Sequence, residues 1–327
     1  MPDVICLGEA LIDFIALESG VSLMDASGFK KAPGGAPANV AAAVSKLGLS
    51  SAFIGKVGED PFGRFLERTF AETGVDTSQM VFDTSARTGL AFVALKAGGV
   101  PDFLFYRNPS ADMLLEPSEL NRDYVSTTRV FHYGSITLIS DPSRSATFTA
   151  AKIARDSGAI ISYDPNLRLS LWKDAESAKL GMIEGIAGTN IVKLSEEELQ
   201  FVTDIVGLEE GARALLDRFE SISLVLVTRG PEGCYYATEG ATGYVPGFTV
   251  EVADTTGAGD AFMGASLYQI LQRNLDAASI RKLPKSELDS ICKFANATGA
   301  LATTKRGAIS SLPTYQELQE FLGQETR

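Results

Sequence analysis

Short apolar runs punctuate the chain, and between them apolar positions recur every third or fourth residue. Val4 to Leu7, Ser51 to Ile54, Val130 to His132, Ile160 to Tyr163, Ile191 to Val192 and Leu224 to Val227 read as buried strands. Ala38 to Leu47, Phe62 to Thr73, Ser143 to Asp156 and Glu209 to Phe219 carry helical spacing. Strand and helix in alternation predict an α/β class with a mostly parallel sheet and helices on both faces, because parallel strands need crossover connections. Ligands of such folds bind beyond the carboxyl ends of the strands.

Two stretches break the rhythm. Asp13 to Lys31 and Thr88 to Arg107, the latter with Gly98-Gly99 near its middle, read as antiparallel hairpins inserted into the α/β chain. A small sheet made from them would project as a lid over the strand ends. Towards the end, Ser310 to Thr314 reads as a loop and Tyr315 to Leu322 as a capped helix.

Composition narrows the function classes. Of 327 residues 45% are hydrophobic and 21% charged, enough apolar material for a core and too much for general disorder. The net charge of −12 and the lack of a basic cluster speak against nucleic acid and anionic membrane surfaces as partners. No apolar run approaches a membrane span and no secretory signal is visible, so the expected location is cytoplasmic. Cys6, Cys234 and Cys292 lack metal or redox spacing and read as buried, reduced thiols. His132, the single histidine, lies in an apolar stretch and reads as a core residue.

The strongest chemical signal is Asp254-Thr255-Thr256-Gly257-Ala258-Gly259-Asp260-Ala261-Phe262, which follows a strand-like Thr249 to Val252 and opens the helical pattern Ala261 to Leu271. Small residues let a substrate oxygen approach the backbone, and the N–H groups of a first helical turn are unpaired at the positive end of the dipole. Gly257, Ala258 and Gly259 thus form an anion hole, with Asp260 beside it to take a proton from a hydroxyl attacking a phosphate. The helix N-terminus is expected to weaken Asp260 as a base. A loose phosphoryl-transfer transition state demands little early proton removal, so a weak, well-placed carboxylate suffices.

Asp254 to Phe262 resembles the second signature of the ribokinase-like (PfkB) carbohydrate kinases, and Gly34-Gly35-Ala36-Pro37-Ala38-Asn39-Val40-Ala41 resembles the first. The resemblance runs from Gly8-Glu9-Ala10-Leu11-Ile12-Asp13 to Lys305-Arg306-Gly307-Ala308. Within the family, Phe105 to Asp112, Asp164-Pro165-Asn166-Leu167-Arg168 and Thr303 to Ala308 most resemble the fructokinases. It implies a three-layer α/β/α sandwich, residues 1–327 as one kinase domain, and lid insertions at about 13–32 and 87–110. It also implies transfer of the γ-phosphoryl group of Mg2+-ATP to the 6-hydroxyl of D-fructose. The absence of a P-loop motif agrees.

Gly34 and Gly35 remove side chains where a sugar ring would press on the backbone, Asn39 offers a carbonyl and an NH2 to hydroxyls, and Asp13 can accept two hydroxyl hydrogens. Tight helix–strand packing explains the same glycines. By resemblance, Asn166 and Arg168 face the sugar and the transferred phosphate, while Phe105 and Arg107 belong to the lid; exposed ion pairing is the alternative for the arginines. Ser195 to Glu198 is a capping box and also aligns with the family's NxxE motif, Ser replacing Asn, whose Glu arranges hydrated Mg2+. Lys193, Thr228, Gly230, Gly233 and Asn296 are assigned to ATP, although a hairpin turn explains the two glycines and close helix packing explains Asn296. A K+ loop is implied at Asp254, Thr256, Ala302, Gly307 and Ser311; the sequence leaves the oligomeric state open, and an apolar lid face would allow a homodimer through the lid.

Rival readings leave marks in the sequence. A keto-acid substrate such as 2-keto-3-deoxygluconate brings a carboxylate that a tyrosine at 105 would help hold, and the residue there is Phe105. Ribose stays open as an acceptor. A catalytically silent sugar-binding scaffold predicts decay of the base or anion hole, yet Asp260, Gly257 and Gly259 are intact. A dinucleotide oxidoreductase needs GxGxxG after the first strand, where Gly8 to Asp13 stands instead.

Overall fold

The computed structural model describes residues 1–18, 20–95 and 101–324. In chain order the strands are β1 (Val4–Leu7), β2 (Leu11–Ala16), β3 (Phe29–Gly34), β4 (Ser51–Gly58), β5 (Val75–Asp76), β6 (Met80–Asp83), β7 (Gly89–Leu95), β8 (Pro101–Tyr106), β9 (Val130–Tyr133), β10 (Ile160–Tyr163), β11 (Ile191–Ser195), β12 (Leu224–Thr228), β13 (Cys234–Ala237) and β14 (Thr242–Val245). The helices are α1 (Ala36–Lys46), α2 (Pro61–Glu72), α3 (Arg122–Val125), α4 (Ser143–Asp156), α5 (Ala175–Ile186), α6 (Glu196–Thr203), α7 (Leu208–Arg218), α8 (Ala258–Gln272), α9 (Ala277–Arg281), α10 (Lys285–Thr303), α11 (Ala308–Ser311) and α12 (Tyr315–Gln324).

The large sheet runs β14-β13-β12-β11-β10-β9-β1-β4-β5, with β6 beside β4. Its central strands β1, β4 and β9 to β12 pair in parallel, and β13 and β14 add an antiparallel edge. Parallel strands buried on both faces need apolar side chains on both, and every residue of β1, β4, β9 and β10 is buried. One core lies between this sheet and helices α1, α8 and α10; the other lies under α4 to α7. This is the expected three-layer α/β/α sandwich.

The second sheet has the order β3-β2-β7-β8. Both hairpins are antiparallel, as expected, but β2 and β7 join in parallel, so the sheet is mixed. The expected Gly98-Gly99 turn lies outside the described residues. No helix follows β1; the chain turns through Gly8 to Ala10 straight into β2. Residues 249–252 are not a strand. They are mostly exposed, and the adjoining Ala253 and Asp254 N–H groups bond the Thr303 carbonyl rather than a neighbouring strand.

His132 and the three cysteines are buried as expected. His132 Nδ1 lies 3.0 Å from Ser162 Oγ, and burial, helped by the Lys193 charge, lowers its pKa to about 3, so the ring is neutral.

Helices α1 and α8 touch through glycine. A Cβ at Gly264 would stand 2.6 Å from Ala43 Cβ and 3.2 Å from the Val40 carbonyl oxygen. Gly264→Val must therefore push the two helices apart, at a cost of about 1–3 kcal/mol. Urea unfolding will show a lower midpoint at unchanged slope, and an unaltered midpoint would contradict this packing account.

Candidate active site

The carboxyl ends of β9, β10, β11 and β12 lie in register along one edge of the large sheet. The loops leaving them face the start of α8. Gly257 is the N-cap of that helix, with φ of 80°, a left-handed conformation that favours glycine; a Cβ there would also meet Ala308 Cβ at 2.9 Å. The Ala258 N–H is not free, as the sequence had suggested, because it turns back to the Thr255 carbonyl at 3.2 Å. The N–H groups of Gly257, Gly259 and Asp260 have no protein partner among the described residues.

Asp260 is 5% exposed and is gripped from two directions. Asn39, in the first turn of α1, donates Nδ2–H to Oδ2 at 2.7 Å, and Asn166, after β10, approaches Oδ1 at a looser 3.4 Å. Asn166 reaches it from a left-handed backbone, φ 45°, which asparagine tolerates better than most residues. Burial raises the Asp260 pKa, and the Asn39 hydrogen bond with the charges of Lys193 and Arg168 only partly offsets it. The shift thus runs opposite to the expected weakening of the base, because burial outweighs the Asn39 hydrogen bond and the two positive charges.

Lys193, on β11, is 6% exposed and pairs with Asp164 Oδ2 at 2.9 Å. A Cβ at Gly259 would stand 2.9 Å from the lysine Nζ, so the missing side chain makes room for an ammonium. Glu198 and Ser195 form the predicted capping box, and Glu198 Oε1 also accepts the Leu167 N–H at 2.7 Å. The carboxylate ties α6 to the loop after β10 and keeps lone pairs free. Arg168 donates to the carbonyls of Asn166 and Leu167, which holds its guanidinium over that loop.

Gly34 and Gly35 answer to protein neighbours. A Cβ on Gly34 would collide with Asp13 Oδ2, and one on Gly35, at φ 121°, would collide with the Glu9 carbonyl oxygen. Arg107 is buried just past β8, with Nε donating to Asp112 Oδ2 at 2.9 Å, so it is not in an exposed pair. Phe105 lies beside Phe103, with ring centroids 6.1 Å apart.

Around the nucleotide assignments the hairpin reading fits β12–β13: Gly230 and Gly233 have positive φ, and a Cβ on Gly233 would strike the Val245 carbonyl. Thr228 Oγ1 donates to the Leu194 carbonyl at 3.3 Å. Asn296 Nδ2 donates to the Val245 and Pro246 carbonyls at 3.0 and 3.1 Å, so its amide clamps the segment after β14. Asp254 joins its own loop to the start of α11, accepting from Thr256 N–H and Oγ1 and from Gly307 N–H, and these bonds outweigh burial to hold its carboxyl below the usual range. Ser311 Oγ donates to the Ala308 carbonyl. Ala302 is buried near the end of α10, and its carbonyl has no partner among the described residues.

Residues 1–315 match the family model described as pfkB family carbohydrate kinase. The chain is 50% identical to Fructokinase-1 of Zea mays over 319 residues, 98% of this chain and 97% of that protein. A fructokinase from Xylella fastidiosa solved with bound ATP superposes with a TM-score of 0.91 at 36% identity, covering 100% of both chains. A double mutant of Vibrio cholerae O395 fructokinase, in a form binding fructose, ADP and potassium ion, gives 0.85 at 37% identity over 98% of each chain. The chain belongs to the pfkB family of carbohydrate kinases.

Two buried carboxylates of this pfkB chain escaped the sequence assignments. Glu9, 2% exposed, accepts the Ala36 N–H at 2.9 Å and so caps α1, whose N-cap Gly35 has no side chain to do it. Its Oε2 is buried without a partner, and burial raises the carboxyl to about 7. Asp164 is the other. The available signal was a single acid set in an apolar or strand-end context, Leu7-Gly8-Glu9-Ala10-Leu11 and Tyr163-Asp164-Pro165.

Asp13 has no hydrogen-bond partner among the described residues, and burial pushes its carboxyl from 3.8 to about 6 against the pull of Arg168. A raised acid favours folding while protonated, and that contribution is lost as pH rises through about 6. Asp13→Asn should therefore stabilise the kinase at pH 8 by about 1–2 kcal/mol and not at pH 4. Urea unfolding at the two pH values decides it, and an equal gain at both would refute the ionised-burial account.

Proposed function

We propose that this chain is a fructokinase, transferring the γ-phosphoryl group of Mg2+-ATP to the 6-hydroxyl of D-fructose. The observation that carries the reading is the buried, base-strengthened Asp260 beside the unpaired N–H groups of Gly257, Gly259 and Asp260. Identity of 50% to a fructokinase over nearly the full length supports the acceptor. Residues 1–327 act as one catalytic unit, with the β3-β2-β7-β8 sheet as its lid.

In this reading Asp13 and Asn39 hold sugar hydroxyls, and Asp260 accepts the proton of the attacking hydroxyl as its oxygen bonds the γ-phosphorus and the bond from that phosphorus to the β,γ-bridging oxygen breaks, releasing ADP. The free N–H groups and Lys193 face charge gathering on the transferred group, and Arg168 and Asn166 flank it. Thr228, Gly230, Gly233 and Asn296 border the nucleotide, and Phe105 and Arg107 belong to the closing lid, which excludes water. The fixed Glu198 carboxylate, with lone pairs to spare, would hold Mg2+ through water, where the ion would supply charge neutralisation to the phosphates. The unpartnered Ala302 carbonyl, with the Asp254, Thr256, Gly307 and Ser311 loops pinned nearby, fits an oxygen-lined K+ site.

Three free, buried thiols suit a reducing compartment such as the cytoplasm, and among the described residues no helix is long and apolar enough to cross a membrane. Phe103, Leu104 and Tyr106 are exposed on β8, an edge strand of the lid, and support a homodimer through that sheet. Sedimentation should give a dimer mass for the parent and a monomer mass for Leu104→Glu; a monomeric parent ends the dimer reading.

The reaction is checked by ADP release from Mg2+-ATP with fructose, glucose, mannose, ribose, 2-keto-3-deoxygluconate and adenosine, with and without K+. Fructose should dominate, K+ should raise turnover, and Asp260→Ala should lower kcat by about 10^2 to 10^4. Preference for another sugar would keep the mechanism and move the specificity. Tight sugar binding without turnover would replace the kinase reading with a silent scaffold.

A further inference from the structure

Asp164 closes β10 at 3% exposure and touches two parts of the site at once. Its Oδ2 accepts Lys193 Nζ–H at 2.9 Å, and its Oδ1 accepts the Asn166 N–H at 3.3 Å. The first contact leaves two of the ammonium's three N–H groups without a protein partner among the described residues. Nζ lies 2.9 Å from where a Cβ of Gly259 would stand, in the first turn of α8 beside the Gly259 and Asp260 N–H groups that have no protein partner among the described residues. The second contact shapes the left-handed turn from which Asn166 reaches Asp260. A buried ion pair is a poor stabiliser, because taking both charges out of water offsets most of their attraction. An ammonium kept dry with two free donors beside an anion hole is better explained by a charge that arrives during the reaction.

We propose that Asp164 is a positioning residue, which holds Lys193 as a charged, aimed ammonium beneath the phosphoryl site. It touches neither sugar nor nucleotide and acts through the lysine. The inference rests on the kinase reading, since it needs a transferred anion above Gly259. Burial alone would discharge Lys193, and its pKa stays above the ordinary value because Asp164, then Glu198 and Asp260, surround it with negative charge. Asp164 in turn meets Lys193 on β11, Glu198 on α6 and Asp260 on α8.

A double-mutant cycle tests it, with Asp164→Asn, Lys193→Met and the pair together, each read by kcat, fructose KM and ADP affinity by calorimetry. Each single variant should lose at least about tenfold in kcat with fructose KM within about threefold. The double variant should match Lys193→Met within about twofold in both kcat and ADP affinity, because without the lysine Asp164 has nothing to aim. Losses that multiply, or an Asp164→Asn enzyme with parental kcat, would overturn the proposal. If Asp164→Asn alone does not fold, the comparison of the double variant with Lys193→Met still decides, since both remove the buried ammonium. A parent enzyme inactive on every sugar would sink the kinase reading instead, while the ADP cycle would still score Asp164.

Discussion

Everything around the site follows from keeping the Asp260 carboxylate out of water and still ionisable. Transfer of an isolated carboxylate into the interior costs several kcal/mol even after relaxation. A strengthened base needs part of that penalty, because burial is what lifts the Asp260 pKa. Too much burial would leave it protonated and useless. The balance is struck by the Asn39 hydrogen bond and by the charges of Lys193 and Arg168, which belong to three separate elements. Bringing them to one point requires α1 to lie tight against α8, and β10, whose following segment carries Arg168, to pair in register with β11, which carries Lys193.

The small sheet is bound to the same point by a short path. β1 leaves the core, turns through Gly8 to Ala10 and enters β2, so that Asp13 stands in the second sheet only a few residues from the first. β3 returns at Gly34, and α1 begins at once, capped by Glu9 from that opening turn. Glu9 therefore fixes the helix start that carries Asn39 to the turn that carries Asp13. The same turn therefore joins the small sheet to the Asn39–Asp260 contact, and the buried Arg107–Asp112 pair follows β8 at the small sheet's other edge.

The architecture was legible because parallel strands buried on both faces must be written as mostly apolar runs, and β1, β9, β10 and β12 are, with only His132, Ser162 and Thr228 interrupting them. Asp254 to Phe262 was legible because glycine at a left-handed helix N-cap leaves a local signature. What the sequence hid was long-range. The parallel pairing of β2 with β7 involves segments distant in the chain and has no local marker. The glycines at 34 and 35 read equally as room for sugar or for protein, and the protein neighbours, Asp13 Oδ2 and the Glu9 carbonyl, come from distant chain positions with no local marker. Asp260's pKa was misread because a helix dipole is visible in one segment, whereas desolvation depends on what α1 and the β10 loop place on top of it.

Charge shows the same division between surface and site. With 41 acidic residues against 29 basic ones, the chain as a whole repels a polyphosphate. Yet the residues nearest Asp260 include Lys193 and Arg168, and the helix N-terminus adds its own unpaired N–H groups. Surface charges are screened within about 10 Å at ordinary ionic strength, whereas buried ones are screened much less. An anion at the surface therefore feels a screened field, while one beside Asp260 meets the less screened positive end of α8 and an ammonium with two donors free. In the proposed reaction, attraction of a phosphoryl group rests on these local groups rather than on the net charge, so the overall acidity of the chain is no obstacle to it.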